Sequence, residues 1–482
     1  MTVMSTVNQG NKSPVRLQKV IISGLSMDSA DNKKAALLVT SLGSFLVPFM
    51  GSSINIALPS IGSEFAMDAI LLSWLVTSYL LSMVMFNVPF GRIADIYGRK
   101  KVFTYGISIF TASSLLLAIS TSATMLIAFR ILQGIGSAMV FGTAIAILTS
   151  TFPLSERGRV FGINVTAVFS GLSLGPFLGG LLTQHFGWRS IFLASVPVGL
   201  IIIVFTLWKL KGEWAEAEGA KFDFTGSVMY ILTIAAVMYG LSSLPAIWAV
   251  GLILVGISGL WAFTKWEMRV ESPIFDINLF RNNKAFTLSI LTELIQSSAT
   301  FAVIFLLSLY LQYVEGLGPQ NAGLVLVSAP IIQAIFSPVA GRLSDKIEPR
   351  IVVSIGMALT VVSLSLFAFL SPQTTLKFMI GNLILFGFGY AFFASPNTNA
   401  VMTSVEKSFY GVASASQATM RQIGMVLSMA IATVLLSMYM GRVQITPEFY
   451  PIFLKSIKTT FIISAAICFA GIFASLARGK MR

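Results

Sequence analysis

Three charged residues interrupt long apolar stretches of this chain: Arg130, Glu293 and Arg421. Hydrocarbon solvates charge poorly, so ionisable groups at membrane depth are rare and tend to mark ion or substrate paths. Glu293 is the only acid well inside an apolar run. It lies nine residues past Lys284, about 13 Å along a helix rising 1.5 Å per residue. A carboxyl group placed there can load and release a proton; the alternative is a side chain that snorkels to the nearer interface. Arg130 has Gln133 one turn further on the same helical face. That pair reads either as part of a coupling or substrate site or as a structural hydrogen-bonding unit. Arg421, followed by Gln422, sits near the middle of its run. It could serve the same site or pin helix ends through carbonyl contacts.

Other chemistries are excluded by what is missing. Cys468 is the only cysteine and His185 the only histidine. No disulfide can close within the chain and no thiolate or zinc site can be assembled. The chain has no Gly-x-x-x-x-Gly-Lys-Ser/Thr loop to hold a nucleotide phosphate. It also has no nucleophile and base at a recognisable spacing, so it reads as a non-enzyme without cofactor or metal. His185, close to Trp188, reads as an interfacial loop residue, with pH sensing as the other option.

A second group of charges is organised by repetition. Gly91, Arg92, Asp95, Gly98, Arg99 and Lys100 lie in a short polar segment between two apolar runs. Gly341, Arg342, Asp345 and Arg350 repeat its outline 250 residues further on. A glycine there lets helix ends approach closely, and the aspartate can pair with a nearby cation or sit at a helix N-terminus. Arg92, Arg99, Lys100 and Lys101 can face anionic headgroups; ordinary topogenic charge is the simpler account of those cations.

The elements that must hold these groups follow from composition. Of 482 residues, 55% are hydrophobic and 11% charged, where soluble domains carry about 25% charged. Residues 35–63, 69–91, 102–129, 131–155, 190–208, 316–341, 351–376 and 378–405 each lack Asp, Glu, Lys and Arg. Each is long enough for a spanning helix, which needs roughly 18 or more apolar residues. The run 224–264 holds two spans, and 160–184, 294–314, 408–441 and 459–477 complete about 14. Backbone groups in lipid must bond within their own segment, and the short alternating segments of a barrel are absent. The predicted class is therefore an all-α polytopic membrane protein. Both termini are expected on the cytoplasmic side, because most of the 32 Lys and Arg then fall inside. That bias accounts for the net charge of +13 without any nucleic-acid partner.

The spacing of the repeat sets the organisation. Eight spans with their turns fill the gap between copies, where a plain six-plus-six duplication would hold six. The division expected is a cytoplasmic tail (1–33, with no signal peptide), a six-helix bundle (34–209), a linker with two extra helices (210–283) and a second six-helix bundle (284–482). Glu213, Glu216 and Glu218 in that linker read as a solvated loop.

Gly91–Lys100 resembles the signature between spans 2 and 3 of the major facilitator superfamily. Arg130-Ile131-Leu132-Gln133-Gly134-Ile135-Gly136 is similar to that family's span-4 motif. Gly171 to Gly180, with Gly175, Pro176 and Gly179, is similar to the span-5 motif of its exporters. Asn55–Pro59, Trp188–Phe192, Asp223–Gly226 and Pro273–Asp276 with Leu279-Phe280 resemble segments of the 14-span drug:proton antiporter branch. The resemblance covers nearly the whole chain in order.

It implies a major facilitator fold of two six-helix bundles plus an inserted pair, working by alternating access about a midplane site. The implied activity is secondary active transport, with proton-coupled export of small amphiphilic compounds across the plasma membrane. Uptake or facilitated movement of a small metabolite on the same fold is the alternative. The expected partners are the lipid bilayer, the substrate and protons, and a monomer suffices. The Gly91–Lys100 segment, with Gly341 and Asp345 as a reduced copy, is expected to latch the cytoplasmic gate in the outward-facing state. Gly171, Gly175 and Gly179 recur every fourth residue and permit close packing, and Pro176 can kink the helix; with Gly180 they suit a gating helix at a bundle interface that opens and shuts, plain small-residue packing being the alternative. In one place the chain departs from the branch. The acid expected before the span-1 Asn-x-Ala-Leu-Pro segment is replaced by Met50. Either Glu293 carries the proton alone, or coupling differs, or the chain is not a proton antiporter. Asn87, Asn164, Gln296, Gln333, Asn382, Asn397 and Asn399 are further polar residues that could line a cavity or bond neighbouring helices. The 38 phenylalanines and 21 methionines could form an adaptable pocket or face lipid.

Overall fold

The computed structural model describes residues 14–270, 280–281, 283–406 and 410–479. Of the calls made on the sequence, the N-terminal tail up to residue 13 and Pro273–Leu279 lie outside the described residues. Fourteen helices are long and apolar enough to cross a membrane. They are α1 (Asp31–Glu64), α2 (Ala69–Tyr97), α3 (Arg99–Ala118), α4 (Ala123–Thr151), α5 (Glu156–Phe186), α6 (Arg189–Trp208) and α7 (Phe224–Ser242). The rest are α8 (Ile247–Glu267), α9 (Lys284–Val314), α10 (Pro319–Ser344), α11 (Pro349–Phe367), α12 (Leu376–Thr403), α13 (Tyr410–Met440) and α14 (Pro447–Leu476). No strand occurs among the described residues. The chain is a multi-span membrane protein of the all-α class predicted.

The helices tolerate many hydroxyl side chains because each can bond a carbonyl one turn back. Thr40 donates to Ala36, Thr111 to Ile107, Thr143 to Met139 and Thr206 to Ile202, all at 2.6–2.7 Å. A serine or threonine satisfied in this way adds no unpaired polar group to the lipid-facing backbone.

Packing repeats with the sequence. In the first six helices α1 packs on α5, α2 on α4, and α3 on both α4 and α6. In the last six, α9 packs on α13, α10 on α12, and α11 on both α12 and α14. The two bundles meet along α5 with α10 and along α2 with α13. The inserted pair α7 and α8 packs on itself, and α7 leans against α2 and α13. Tyr230 on α7 donates to the Val84 carbonyl of α2 at 3.1 Å, and Tyr239 packs against Trp74, ring centroids 5.7 Å apart. The extra helices therefore cover one seam between the bundles.

Hydrogen bonds join the bundles at the end away from the α2–α3 turn. Ser308 donates to the Asn55 carbonyl at 2.6 Å and Gln312 to that of Ile56 at 3.1 Å. Thr433 donates to Ser73 at 2.9 Å, and His185 meets Gln320 at 3.2 Å. Gly180 lies so close to the Pro319 carbonyl of α10 that a side chain there would collide with it. Among the described residues, the hydrogen bonds named here between the bundles lie away from the end carrying the α2–α3 and α10–α11 turns.

Candidate functional site: a buried carboxylate between two guanidinium groups

Glu293 projects from α9 into the second bundle and is 1% exposed. One carboxylate oxygen accepts from Arg421 Nε of α13 at 2.7 Å. The other accepts from Asn397 Nδ2 of α12 at 2.9 Å and from Gln417 Nε2 of α13 at 3.0 Å. The network extends in two directions. Gln417 also donates to Thr398 at 2.9 Å. Asn397 accepts from Arg478 Nη1 at 3.0 Å, and Arg478, just beyond α14, also donates to Ser475 and Ser289. A buried charge is tolerable only when paired and hydrogen-bonded, and this carboxylate has both forms of support. The snorkelling alternative for Glu293 fails, since the side chain turns into the bundle. Arg421 acts as the carboxylate's partner rather than as a pin on carbonyls.

Arg130 belongs to a different arrangement. It is 1% exposed in the first bundle, donates to the Leu75 carbonyl at 3.0 Å and to Gln133 Oε1 at 2.6 Å, and lies 4.1 Å from the Tyr79 ring centroid. Gln133 passes the chain on to Ser114 at 2.8 Å, and Tyr79 meets Ser137 at 2.8 Å. These partners are neutral, and Arg130 Nη2 has none. The sequence grouped Arg130 and Gln133 with Glu293 and Arg421; the structure brings together the first two and, separately, the last two. Met50 is fully buried among apolar side chains of the first bundle.

At the α2–α3 turn the structure revises the expected geometry. The segment Gly91–Tyr97 is the last part of α2, and only Gly98 breaks the helix, at φ +118°. That backbone favours glycine, and the Glu213 side chain fills the space where a Cβ would stand. Gly91 faces open space, so it provides no close approach here. Its counterpart Gly341 does, against Ser395 of α12. Asp95 accepts from Arg99 Nε and Nη2 at 2.9 and 2.7 Å. Arg99, 6% exposed, also forks onto both Glu216 oxygens at 2.7 and 2.9 Å and onto the Ala146 carbonyl at 3.2 Å. Glu213 accepts from the Lys100 backbone N–H at 2.8 Å, at the N-terminus of α3 where a carboxylate is favoured. Backbone bonds add to this: Arg99 N–H to the Trp214 carbonyl and Ala217 N–H to that of Asp95, both at 2.9 Å. The Lys100 ammonium donates to the Leu210 carbonyl. The linker acids Glu213 and Glu216 are thus clamps on the turn, not merely solvated groups; Glu218 is exposed. The Arg99 hydrogen bonds hold the Glu216 carboxyl below its ordinary pKa. In the second copy Asn399 donates to Ser344 at 3.0 Å and to Asp345 at 3.3 Å. Arg92 has a buried Nε without a partner.

The α5 glycines split by partner. Gly171, Gly175 and Gly179 face α1, at Phe45, Ser52 and Ser53, leaving no room for a larger residue. Gly180 and the Pro176 carbonyl face α10, the latter against Gly323. The stripe expected at a moving interface is therefore mainly a lock within the first bundle, and only its neighbours touch the second. Of the other polar residues, Asn164 bonds Ser44 at 2.9 Å, Gln296 bonds Thr360 at 3.2 Å and Asn382 exchanges bonds with Ser363 at 3.0 and 3.1 Å. These join neighbouring helices. The reading of the sequence missed Gln417 and Arg478, because an uncharged residue in a span and an arginine at a helix end carry no signal of their own.

Two pseudo-repeated six-helix bundles, a polar network at membrane depth and hydrogen bonds closing one end define a secondary-transporter architecture. The sequence profile described as Major Facilitator Superfamily matches residues 40–429 and again 289–480, and the chain belongs to that family. The chain is 28% identical over 443 residues to the riboflavin transporter RibZ of Clostridioides difficile (strain 630), covering 91% of this chain and 96% of that protein. It is 31% identical over 401 residues to the multidrug resistance protein Stp of Mycobacterium tuberculosis, covering 82% and 74% respectively. A crystal structure of the peptide transporter POT in complex with sulfate shares the fold, with a TM-score of 0.65 at 15% identity over 92% of this chain and 96% of that one. The chain is a transporter and not an enzyme.

Proposed function

We propose that this chain is a proton-coupled secondary transporter that exports small amphiphilic molecules by alternating access, with Glu293 as the proton-carrying group. The observation that carries the reading is the Glu293 network: a buried carboxylate at depth, held by bonds that side-chain motion can break. Protonation would remove the charge that holds Arg421 and loosen α9 from α13. Export is supported by the α5 glycine motif, and it fits the name of the relative Stp as a multidrug resistance protein. We take the bundles as 34–209 and 284–482, with 210–283 as linker and inserted pair, a division that the helix packing pairs support.

The site faces the end that carries the α2–α3 turn. We place that end, and both termini, in the cytoplasm of a cell whose plasma membrane holds the protein, on the strength of the positive-inside bias. In this inward-facing arrangement Asp95, Arg99, Lys100 and Glu216 form a clamp between α2, α3, α4 and the linker. Gly91, Arg92 and Gly98, with Gly341 and Asp345 opposite, complete the gate, which would re-pair on closing. Substrate and protons are the partners besides lipid, and one copy of the chain contains the whole site.

A second reading, uptake on the same fold, is favoured by one observation. Arg421 is shared between Glu293 and the open side of the site, so a proton on Glu293 can strengthen substrate binding instead of opposing it. Exchange requires competition between proton and substrate; co-movement requires cooperation. Purified protein in liposomes, given an inward pH gradient and either riboflavin or ethidium, separates these outcomes. Export predicts lumenal pH change opposed to substrate movement, abolished by Glu293→Gln. Substrate movement with no proton flux in wild type would refute proton coupling.

A further inference from the structure

We infer that the ligand of this site carries an anionic group, received by the open side of Arg421. Only Nε of Arg421 is engaged by Glu293. Among the described residues its two terminal amino groups have no hydrogen-bond acceptor, and the side chain is 33% exposed although it lies twelve residues into α13. Glu293 on α9 and Tyr390 on α12 lie close to it, and α13 meets α2 across the seam. The guanidinium thus keeps an exposed part that Glu293 does not cover.

Glu293 offers a ligand nothing comparable. Both of its oxygens are satisfied and it is 1% exposed. Among the described residues, the groups at depth are two guanidiniums, Arg130 and Arg421, against this one carboxylate. A cationic ligand would find positive charge and no accessible acid. A carboxylate, sulfonate or phosphate monoester would meet two parallel N–H donors in the fork geometry that planar anions accept. Protonating Glu293 leaves the charge of Arg421 uncompensated, so anion and proton strengthen each other's binding. The inference rests on the site proposed above and, if right, moves the direction toward uptake with protons.

The test uses two dyes on a shared xanthene skeleton, anionic fluorescein and cationic rhodamine 123, with the full chain in lipid nanodiscs and fluorescence anisotropy as the readout. Fluorescein is expected to bind saturably at pH 8, where the dye is dianionic, and more tightly than rhodamine 123. Arg421→Gln leaves Glu293 unpaired and could unfold the bundle, so the decisive variant is the neutral pair Arg421→Gln with Glu293→Gln. It should weaken fluorescein at least about tenfold, roughly the loss of one charge-assisted contact, and leave rhodamine 123 unchanged. Arg421→Lys should bind at an intermediate level, keeping charge but losing the fork. Equal fluorescein binding in wild type and the neutral pair would overturn the inference, as would preference of wild type for rhodamine 123. The two readings fail separately. Glu293→Gln with intact gradient-driven flux removes the proton role while Arg421-dependent anion binding survives. Loss of coupling in Glu293→Gln without anion binding does the reverse.

Discussion

The helix pairs α1/α5 and α9/α13 are built to one plan and furnished differently. Gly171 of α5 lies against the Phe45 carbonyl of α1, and Gly424 of α13 against the Leu294 carbonyl of α9. One residue before each carbonyl stands the polar partner: Ser44 in the first pair, Glu293 in the second. Seven residues before each glycine stands an amide that bonds it, Asn164 to Ser44 at 2.9 Å and Gln417 to Glu293 at 3.0 Å. Three residues before each glycine stands Val168 in one pair and Arg421 in the other. The crossing is the same; only the second carries charge. The same scaffold thus holds a neutral hydrogen bond on one side and an ion pair on the other.

If the crossings are equivalent, breaking either should do comparable harm. Gly171→Leu and Gly424→Leu both force a side chain into a neighbouring backbone, and overpacking of this kind costs on the order of 1–3 kcal/mol or more. Each is expected to lower the yield of folded protein severalfold, measured by size-exclusion chromatography in detergent. A large loss in one and none in the other would break the comparison.

The amides should differ in kind. Asn164→Ala removes a neutral bond, about 1 kcal/mol of stability, with transport kept near wild type. Gln417→Ala removes a bond to a carboxylate, a charge-assisted bond of about 1.5 kcal/mol or more, and should change the pH profile of transport. Equal pH profiles in the two variants would reduce the second pair to scaffolding.

The smallest effect belongs to the linker clamp. Glu216 has a carboxyl pKa lowered by Arg99. A lowered folded pKa means that its contribution is fully present above the ordinary value of 4.5 and is lost as pH falls through the folded value. The difference spectrum between wild type and Trp214→Phe should report linker release as pH drops below about 4.5. In a Glu216→Gln background it should be flat through that range; an unchanged acid transition would remove Glu216 from the clamp.

Much of this was legible in the chain. Uncharged runs gave the helices, and the 250-residue repeat gave the inserted pair, because both depend on local composition and spacing. Glu293 and Arg421 stood out because charge at depth is rare. Their pairing was hidden, since 128 residues separate them and only the α9/α13 crossing joins them. Glu216 read as a solvated acid because nothing in its own neighbourhood tells that Arg99 lies within reach. Gly91 was legible as a motif residue but its surroundings were not: a helix carries it past the place where a turn was expected.

Infrared difference spectroscopy of the full chain in lipid, titrated between acid and neutral pH, tests the role of Glu293 most directly. The account predicts that subtracting the Glu293→Gln spectra from those of wild type leaves one protonated-carboxyl band, which shifts in Arg421→Lys and persists in Ser44→Ala. Wild-type and Glu293→Gln spectra that titrate identically would contradict it.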